Sequence, residues 1–180
     1  SGDILLEHIN NVLIIERNDN SQLELCDVSM LASDILTTMN PLAIASKHLL
    51  CLDKRGLDDR KVITDRRAIQ QILINLISNA IKFSSDGDIK MRVFYGQFKD
   101  GNLALHLEVS DSGPGISQKD IERIFDDFVV LDNSYERNSS GTGLGLGIVR
   151  TLAQRLGGDI RCESTIEQGS RFIVSLIAVS

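Results

Sequence analysis

Apolar and polar positions along the chain follow two periods, one typical of helices and one typical of strands. Helical spacing occurs over residues 3–17, 29–45, 65–83, 117–125 and 144–156. Strand-like runs occur over residues 23–28, 48–52, 61–64, 89–98, 103–110, 159–164 and 170–178. This order predicts an α/β (α+β) two-layer sandwich, with a mixed, mainly antiparallel sheet and the helices on one face.

Four signals suggest where these elements begin, end or turn. Ser29 and Asp65 are predicted helix N-caps, because short polar side chains accept hydrogen bonds from the amides of the first turn. Pro41 is expected to interrupt the first long helix, since proline has no amide hydrogen to donate. Asp100-Gly101 lies between two strand-like runs and predicts a hairpin.

The chain is expected to form one main domain preceded by a short segment. Its 180 residues, 42% of them apolar, suffice for one buried core but not comfortably for two. Residues 3–17 predict a helix, and the polar cluster at 17–21 predicts a linker. We therefore divide the chain into a helix and linker at 1–22 and a domain at 23–180.

Charge and composition exclude several classes of function. A net charge of −6 provides no basic surface for a phosphate backbone, so nucleic acid is not expected as a partner. The cysteines Cys26, Cys51 and Cys162 lie far apart, which argues against a disulfide framework or a zinc site. No apolar run approaches the roughly 20 residues that span a bilayer, so no membrane contact by this piece is expected.

A polar stripe on the helix predicted at 65–83 is the first candidate for chemistry. Asn75, Asn79 and Lys82 are spaced i, i+4 and i+7 and share one sector of an otherwise apolar helix. The stripe could be an ordinary solvated strip. However, two asparagines are poor helix formers, and they offer carbonyl oxygens to magnesium, while lysine offers charge to phosphate. The helix alone leaves the two interpretations equally open.

Two glycine-containing loops are further candidates. Asp111-Ser112-Gly113-Pro114-Gly115-Ile116 follows an apolar strand, and its carboxylate could accept a hydrogen bond from an exocyclic amine while the glycines admit a flat ring. Residues 140–148 alternate glycine with other residues before an amphipathic helix, which suits a polyphosphate. Alone, the first is more often a simple turn, and the second could be a linker or a close helix contact.

Together, four segments in order resemble the boxes of the histidine kinase ATP-binding domain, of the Bergerat (GHKL) superfamily that includes gyrase B. They are Asn-Leu-Ile-Ser-Asn-Ala-Ile-Lys-Phe at 75–83, Asp-Ser-Gly-Pro-Gly-Ile at 111–116, Ile-Phe-Asp-Asp-Phe at 124–128 and Gly-Thr-Gly-Leu-Gly-Leu at 141–146. The resemblance covers about residues 23–178. It implies a Bergerat-type fold with ATP and Mg²⁺ as cofactors.

The resemblance also implies roles for particular residues. Asp111 would hold the adenine amino group, with Ser170 near the ring edge. Asn79 would ligate Mg²⁺, Asn75 would support that site, and Lys82 would reach a phosphate. The remaining nucleotide-binding positions would be Gly113, Gly115, Ile116, Phe125, Gly141, Thr142, Gly143, Leu144, Gly145 and Leu146.

Two further parts of the resemblance are the phenylalanine box and the lid. Phe125 and Phe128 match the box that anchors a mobile lid, although both could be ordinary core aromatics. The lid would be residues 129–142. Within it, Arg137 could contact a phosphate, but a solvated arginine is the more ordinary interpretation.

Asn75 indicates which reaction of the superfamily to expect. Hydrolysing members carry glutamate there as a general base, whereas an amide cannot take a proton at neutral pH. The chain is therefore expected to transfer the ATP γ-phosphate to a nucleophile outside itself. A hydrolysing ATPase and a degenerate nucleotide-sensing or docking module remain the alternatives.

The expected nucleophile, a histidine followed by an acidic residue and later a proline, is missing from the sequence. None of His8, His48 and His106 has these neighbours, and residues 3–17 resemble the end of the second dimerisation helix. The expected partners are thus the dimerisation and histidine-phosphotransfer hairpin of a homodimeric parent kinase, and a response regulator receiver domain. The expected location is the cytoplasm, and an inner-membrane anchor in the parent is left open.

Overall fold

The computed structural model describes residues 22–85, 87–126 and 145–180. The helices are α1 (Val28–Ala45), α2 (Arg66–Phe83), α3 (Gln118–Ile121) and α4 (Gly145–Arg155). The strands are β1 (Glu24–Cys26), β2 (His48–Asp53), β3 (Val62–Thr64), β4 (Gly87–Gln97), β5 (Leu103–Asp111), β6 (Asp159–Thr165) and β7 (Gly169–Ile177).

Five strands form the main sheet, in the order β2-β4-β5-β7-β6. The pair β2 and β4 is parallel, and the other three pairs are antiparallel. Alternate residues of the central strands, such as Met91, Leu107 and Val174, are fully buried, and α1, α2 and α4 contact the sheet. The predicted mixed, mainly antiparallel sheet with helices on one face is confirmed.

The other face of the main sheet is polar and carries ion pairs. Arg171 of β7 lies between Glu108 of β5, at 3.5 Å, and Glu163 of β6, at 2.6 Å. The alternation of apolar and charged residues along β4 and β6 follows from the pleat, which sends successive side chains to opposite faces. The sheet is thus buried on the helical side and hydrated on the other.

Helix α2 is the central element of the core. Asp65 caps it as predicted, accepting a hydrogen bond from the amide of Ala68 at 3.1 Å. Eight of its eighteen residues are buried, and it contacts α1, α4 and the central strands β4 and β5. Because the buried apolar side chains occupy one side of the helix, the polar stripe with Asn75 and Asn79 lies on the side left for other roles.

The start of α1 differs from the prediction. The helix begins at Val28, and its N-cap is Asp27, whose carboxylate accepts a hydrogen bond from the amide of Met30 at 2.9 Å; the predicted Ser29 lies inside the first turn. Strand β1 accordingly ends at Cys26, two residues earlier than predicted. The change arises because Asp27 already supplies a cap oxygen in extended geometry, so Ser29 is not needed as a cap.

The predicted interruption at Pro41 was also wrong, since α1 continues through it to Ala45. Met39 and Ala43 on either side are buried, while Pro41 itself is exposed. Core packing therefore holds the helix together where the proline removes one backbone hydrogen bond. By length and mean hydropathy α1 could also cross a membrane, but in this domain its buried side contacts β2 and α2.

Two further elements differ from the predicted ones. Helix α3 ends at Ile121, although residues up to 125 were predicted to continue it. Turns follow instead, and they bring Ile124 into the core. Strands β1 and β3 form a separate antiparallel two-stranded sheet, which a residue pattern alone did not predict, and Ile63 of β3 also bridges to Val179.

Loss of Asp65 is expected to destabilise the fold more than loss of an ordinary cap. Its carboxylate caps α2 and also accepts a hydrogen bond from Arg155 of α4 at 3.3 Å, with a side chain only 5% exposed. Asp65→Ala should therefore lower the free energy of unfolding, measured in urea, by clearly more than the about 1 kcal/mol of a cap alone.

Asp27→Ala is the matched control, because it removes an N-cap of the same type from α1. Asp27→Ala should lower the free energy of unfolding by about 1 kcal/mol. Asp65→Asn keeps an oxygen for the cap but loses the charge, so its loss of unfolding free energy should lie between those of the two alanine variants. Equal costs for the two alanine variants would mean that the contact between α2 and α4 contributes nothing.

Candidate functional site

Asp111 is the last residue of β5 and lies at the edge of the main sheet. In the strand register it pairs with Ile89 of β4 and with Ser170 of β7, so all three side chains lie on the helical face. A cleft of about 260 Å³ opens beside it, lined also by Ser164 and Gly169. The strand pairing thus places the Asp111 carboxylate and the Ser170 hydroxyl next to each other at the cleft.

Burial and hydrogen bonds shift the pKa of the Asp111 carboxyl in opposite directions. Burial raises the pKa of this carboxyl above its ordinary value of 3.8, and this effect dominates. The amides of Gly113 and Ser170 and the hydroxyl of Ser84 lower the pKa again but do not cancel the effect of burial. The Gly113 amide donates to Asp111 Oδ1 at 2.8 Å. The carboxylate is therefore oriented by its own turn.

Ser84 is a site residue that the sequence analysis missed. It is the C-cap of α2, is 7% exposed, and influences the Asp111 carboxyl, yet its hydroxyl makes no hydrogen bond of standard geometry within the described part of the chain. A Cβ at Gly113 would lie 2.8 Å from Asp111 Oδ1 and 3.0 Å from Ser84 Oγ. Only glycine allows the turn to approach these two groups so closely.

The turn after β5 is fixed to the hairpin between β6 and β7. Gly115 has a φ of +74°, and a Cβ there would collide with the carbonyl of Thr165. Next to it, the amide of Ile116 donates to Ser164 Oγ at 2.7 Å. These contacts hold the predicted residues Gly113, Gly115 and Ile116 beside Asp111.

Ser164, which the sequence analysis also missed, determines whether the Ser170 hydroxyl offers a hydrogen or lone pairs to the cleft. Its hydroxyl donates its one hydrogen to the carbonyl of Gly169 at 2.8 Å and lies 2.9 Å from Ser170 Oγ. The Ser170 hydroxyl must then donate to Ser164, because the Ser164 hydrogen is already in use. Ser170 therefore presents lone pairs to the cleft, as the Asp111 carboxylate does.

The polar stripe of α2 lies where α4 begins. Asn79 is half-buried, and a Cβ at Gly145 would be 3.7 Å from its amide nitrogen and 3.8 Å from its amide oxygen. Asn75 accepts a hydrogen bond from Gln71 at 2.9 Å, and its Nδ2 is buried without a partner among the described residues. Lys82 is exposed. The two asparagines are thus part of a contact region and not of a fully solvated strip.

The stripe and the Asp111 turn meet at the end of α2. The carbonyl of Phe83, the last residue of α2, would be 3.3 Å from a Cβ at Gly113. Asn79 lies one helical turn earlier, roughly 5–6 Å along the helix axis. The Asp111 turn and the asparagine stripe next to the start of α4 therefore both lie at the C-terminal part of α2.

Some predicted residues lie elsewhere or outside the described ranges. Phe125 packs edge-on against Phe172 of β7, with ring centroids 6.5 Å apart, and Leu146 packs on the core from α4. Gly141, Thr142, Gly143, Leu144, Phe128, Arg137 and the lid at 129–142 fall outside the described residues. Their predicted roles are therefore still predictions.

The two described histidines have structural surroundings. His48 begins β2 and is 4% exposed, with Nδ1 3.2 Å from the carbonyl of Gly87. His106 of β5 has Nδ1 2.8 Å from Ser175 Oγ, and burial lowers its pKa. Both rings lie in the sheet, as expected from their strand-like sequence context.

Comparison with known proteins assigns the fold to a family. A family model described as histidine kinase-, DNA gyrase B- and HSP90-like ATPase matches residues 64–179, and the chain belongs to this family. The match includes the Asp111 turn, α2 and α4. The resemblance noted in the sequence is confirmed.

The relatives are named as histidine kinases. The sensor histidine kinase GacS of Pseudomonas protegens is 35% identical over 98% of this chain, and the circadian input-output histidine kinase CikA of Synechococcus elongatus is 37% identical over 97%. This chain spans 20% of the former and 23% of the latter.

Solved structures agree with these relatives. Full-length ShkA in complex with AMPPNP has a TM-score of 0.83 and 27% identity, covering 99% of this chain and 37% of that one. The Acinetobacter baumannii histidine kinase AdeS has a TM-score of 0.70 and 26% identity, covering 96% of this chain and 76% of that one. The domain is thus of the catalytic ATPase type found in two-component sensor histidine kinases.

Replacing Ser84 should change the titration of Asp111 measurably. A carboxyl-carbon NMR titration should place the Asp111 midpoint above 3.8 in the unmodified chain and higher still in Ser84→Ala, because the hydroxyl favours the ionised form. Since the pKa is raised in the folded state, Asp111 stabilises the fold only while protonated. The free energy of unfolding should therefore fall as the pH rises through this pKa.

Ser84→Thr is the matched control, because it keeps the hydroxyl while adding a methyl group. It should leave the Asp111 midpoint closer to that of the unmodified chain than Ser84→Ala does. A midpoint that is the same in the serine, threonine and alanine forms would show that the hydroxyl does not act on the carboxylate.

Proposed function

We propose that this chain binds ATP, with the adenine amino group held by Asp111 and Ser170. The observation that carries the proposal is the pair of acceptors at the cleft, since the Asp111 carboxylate and the Ser170 lone pairs suit the two hydrogens of an exocyclic amine. Guanine would place a carbonyl oxygen against the carboxylate at this position, which is repulsive. The pair therefore favours adenine.

The region between the asparagine stripe and the start of α4 suits a magnesium triphosphate. Magnesium prefers oxygen ligands, retains water, and is commonly held by few protein groups together with substrate phosphates. The half-buried Asn79 beside Gly145 fits this pattern as one ligand, and Asn75 supports it from the preceding turn. When bound, the ion would neutralise phosphate charge. Lys82 and the glycine box 141–146 are proposed to contact the phosphates.

The proposed reaction is transfer of the γ-phosphate to a histidine outside this chain. Asn75 cannot remove a proton from water, so this domain has no general base at the position where one would be needed for hydrolysis. The domain would act by positioning ATP and stabilising charge, with no covalent intermediate on itself. The named relatives, all histidine kinases, support this reaction over the alternatives.

The partners follow from the reaction. We propose that the acceptor histidine lies on a dimerisation and phosphotransfer hairpin joined to this domain in a homodimeric parent, and that a response regulator receiver domain takes the phosphate next. Residues 1–22 would be the end of that hairpin and its linker. The proposed location is the cytoplasm. A nucleotide-sensing module without transfer is the alternative that the following experiments exclude or establish.

Asn79→Ala should weaken binding of the magnesium complex of ATP more than binding of ATP without metal. The loss for the magnesium complex should be at least about tenfold, the effect typical of disturbing a metal site. Isothermal titration calorimetry with magnesium and with a chelator measures both affinities. Equal losses under the two conditions would contradict a metal role.

Asn102→Ala is the control for the asparagine substitution, since Asn102 lies in the exposed hairpin between β4 and β5. It should leave both affinities unchanged. A fall in melting temperature for Asn79→Ala would indicate a structural role for the stripe instead, so thermal unfolding is measured on the same samples.

The chain should bind ATP yet neither hydrolyse it appreciably nor label itself. It should label an added phosphoacceptor hairpin of a sensor histidine kinase, in magnesium and γ-labelled ATP, with acid-labile phosphate. Asp111→Asn should lower the labelling strongly, since an amide replaces the acceptor of the adenine amine. Stable phosphate on this chain's own serines would refute the proposed reaction.

The controls for this experiment separate binding from transfer. GTP in place of ATP should give little labelling, because the cleft offers acceptors where guanine has a carbonyl oxygen. If ATP binds with magnesium and the hairpin stays unlabelled, the nucleotide-sensing alternative holds. If phosphate is released freely without the hairpin, the hydrolysing alternative holds.

A further inference from the structure

Gln71 extends the polar stripe of α2 by one turn toward the start of the helix. Gln71, Asn75 and Asn79 follow one another at intervals of four residues, so their side chains lie along one side of α2. The Gln71 side chain donates a hydrogen bond from Nε2 to Asn75 Oδ1 at 2.9 Å. Both residues are half-buried, so this hydrogen bond is partly shielded from water.

The hydrogen bond from Gln71 determines which atom of the Asn75 carboxamide remains available. A carboxamide has one acceptor oxygen and one NH2 donor group, and the two point apart in the plane of the amide. Because Oδ1 is turned toward Gln71, Nδ2 is turned away from it. Nδ2 is buried and has no hydrogen-bond partner among the described residues. Asn75 therefore holds a donor group that these residues do not satisfy.

The position of this donor group indicates which acceptor it suits. A buried NH2 group is costly without an acceptor, and a bound ligand can supply one. Asn79, one turn further along α2, lies beside Gly145 at the start of α4, where the triphosphate is proposed to bind. Phosphate oxygens are charged acceptors, which form the stronger kind of hydrogen bond. A phosphate oxygen therefore matches the Asn75 donor.

We propose that Gln71 is a positioning residue, which orients the Asn75 carboxamide so that its NH2 group faces an oxygen of the bound triphosphate. This inference rests on the proposed function and adds a direction to it. Asn79 would offer its oxygen to magnesium, whereas Asn75 would donate to phosphate and would not be a ligand of the ion. Without Gln71, the Asn75 amide would be free to turn over and place its oxygen against the phosphates, which is repulsive.

Two charged substitutions at position 71 test the direction of the hydrogen bond. Gln71→Lys leaves only a donor, which can still bind Asn75 Oδ1, whereas Gln71→Glu leaves only an acceptor, which would draw the NH2 group away from the phosphates. Isothermal titration calorimetry should show that Gln71→Glu weakens binding of ATP with magnesium by at least about tenfold, as expected for the loss of one hydrogen bond to a charged group. Gln71→Lys should weaken this binding much less.

The charge introduced at position 71 needs a matched control, because it also acts on the phosphates directly. Gln70 is the exposed neighbour on α2, so Gln70→Glu and Gln70→Lys add the same charges without replacing the hydrogen bond to Asn75. Each variant at position 71 is compared with the variant of the same charge at position 70. Adenosine, which has no phosphate, should bind all variants equally well. Equal losses for adenosine and ATP would indicate a structural role for Gln71 and overturn the inference.

NMR of the nucleotide-free chain examines the hydrogen bond between the two side chains directly. One side-chain amide proton of Gln71 should resonate downfield of its usual position, because it is donated to Asn75. That shift should be lost in Asn75→Ala, with thermal unfolding as the check that this variant remains folded. A downfield proton on the Asn75 amide instead would show that Asn75 is the donor of the pair and would overturn the inference.

The titrations also separate this inference from the proposed function. A larger loss of ATP affinity for Gln71→Lys than for Gln71→Glu, each relative to its control, would mean that Gln71 accepts the hydrogen bond. Equal losses would mean that Gln71 does not orient Asn75. Both results leave ATP binding by the unmodified chain intact and reject only the orientation of Asn75. Absence of ATP binding by the unmodified chain would overturn the proposed function and this inference together.

Discussion

Burial of α2 is the constraint on which the rest of the structure depends. Eight of its eighteen residues are buried, and it packs against the sheet, α1 and α4. Its rotation is therefore fixed, because any other orientation would expose apolar side chains or bury the polar stripe in the core. With the rotation fixed, Asn79 faces the start of α4, and the end of α2 places Ser84 beside Asp111. The same packing that stabilises the domain thus positions both Asn79 and Ser84.

The pairing of β5 with β7 positions the two acceptor groups at the cleft. The strand register places Asp111 opposite Ser170, so neither residue depends on a flexible loop for its position. Because Ser170 donates its hydrogen to Ser164, its lone pairs are left for the cleft. Loops often carry functional groups at the cost of precision, whereas these two acceptors lie on strands of the central sheet. Recognition of a base edge needs such fixed geometry, because a hydrogen bond weakens steeply when it is misaligned.

The sequence predicted the elements that depend on local rules and on long periodic patterns. The fold class, the cap at Asp65 and the hairpin at Asp100-Gly101 follow from such rules and were confirmed. Tertiary packing decided the rest: core contacts carry α1 through Pro41, and burial of Ile124 ends α3 early. The roles of Ser84 and Ser164 depend on contacts between distant segments, which a residue pattern does not contain.

The amide at Asn75 limits the chemistry that this cleft can perform by itself. When a water molecule attacks a phosphate, a base must remove one of its protons. An amide does not accept a proton at neutral pH, whichever of its atoms faces the cleft. A neutral imidazole, in contrast, attacks with a nitrogen lone pair and needs no base for that step. A cleft that orders ATP but has no base at Asn75 is therefore better suited to an imidazole nucleophile than to water. This preference arises from the residue that the chain carries at position 75 and does not require any special geometry of the lid.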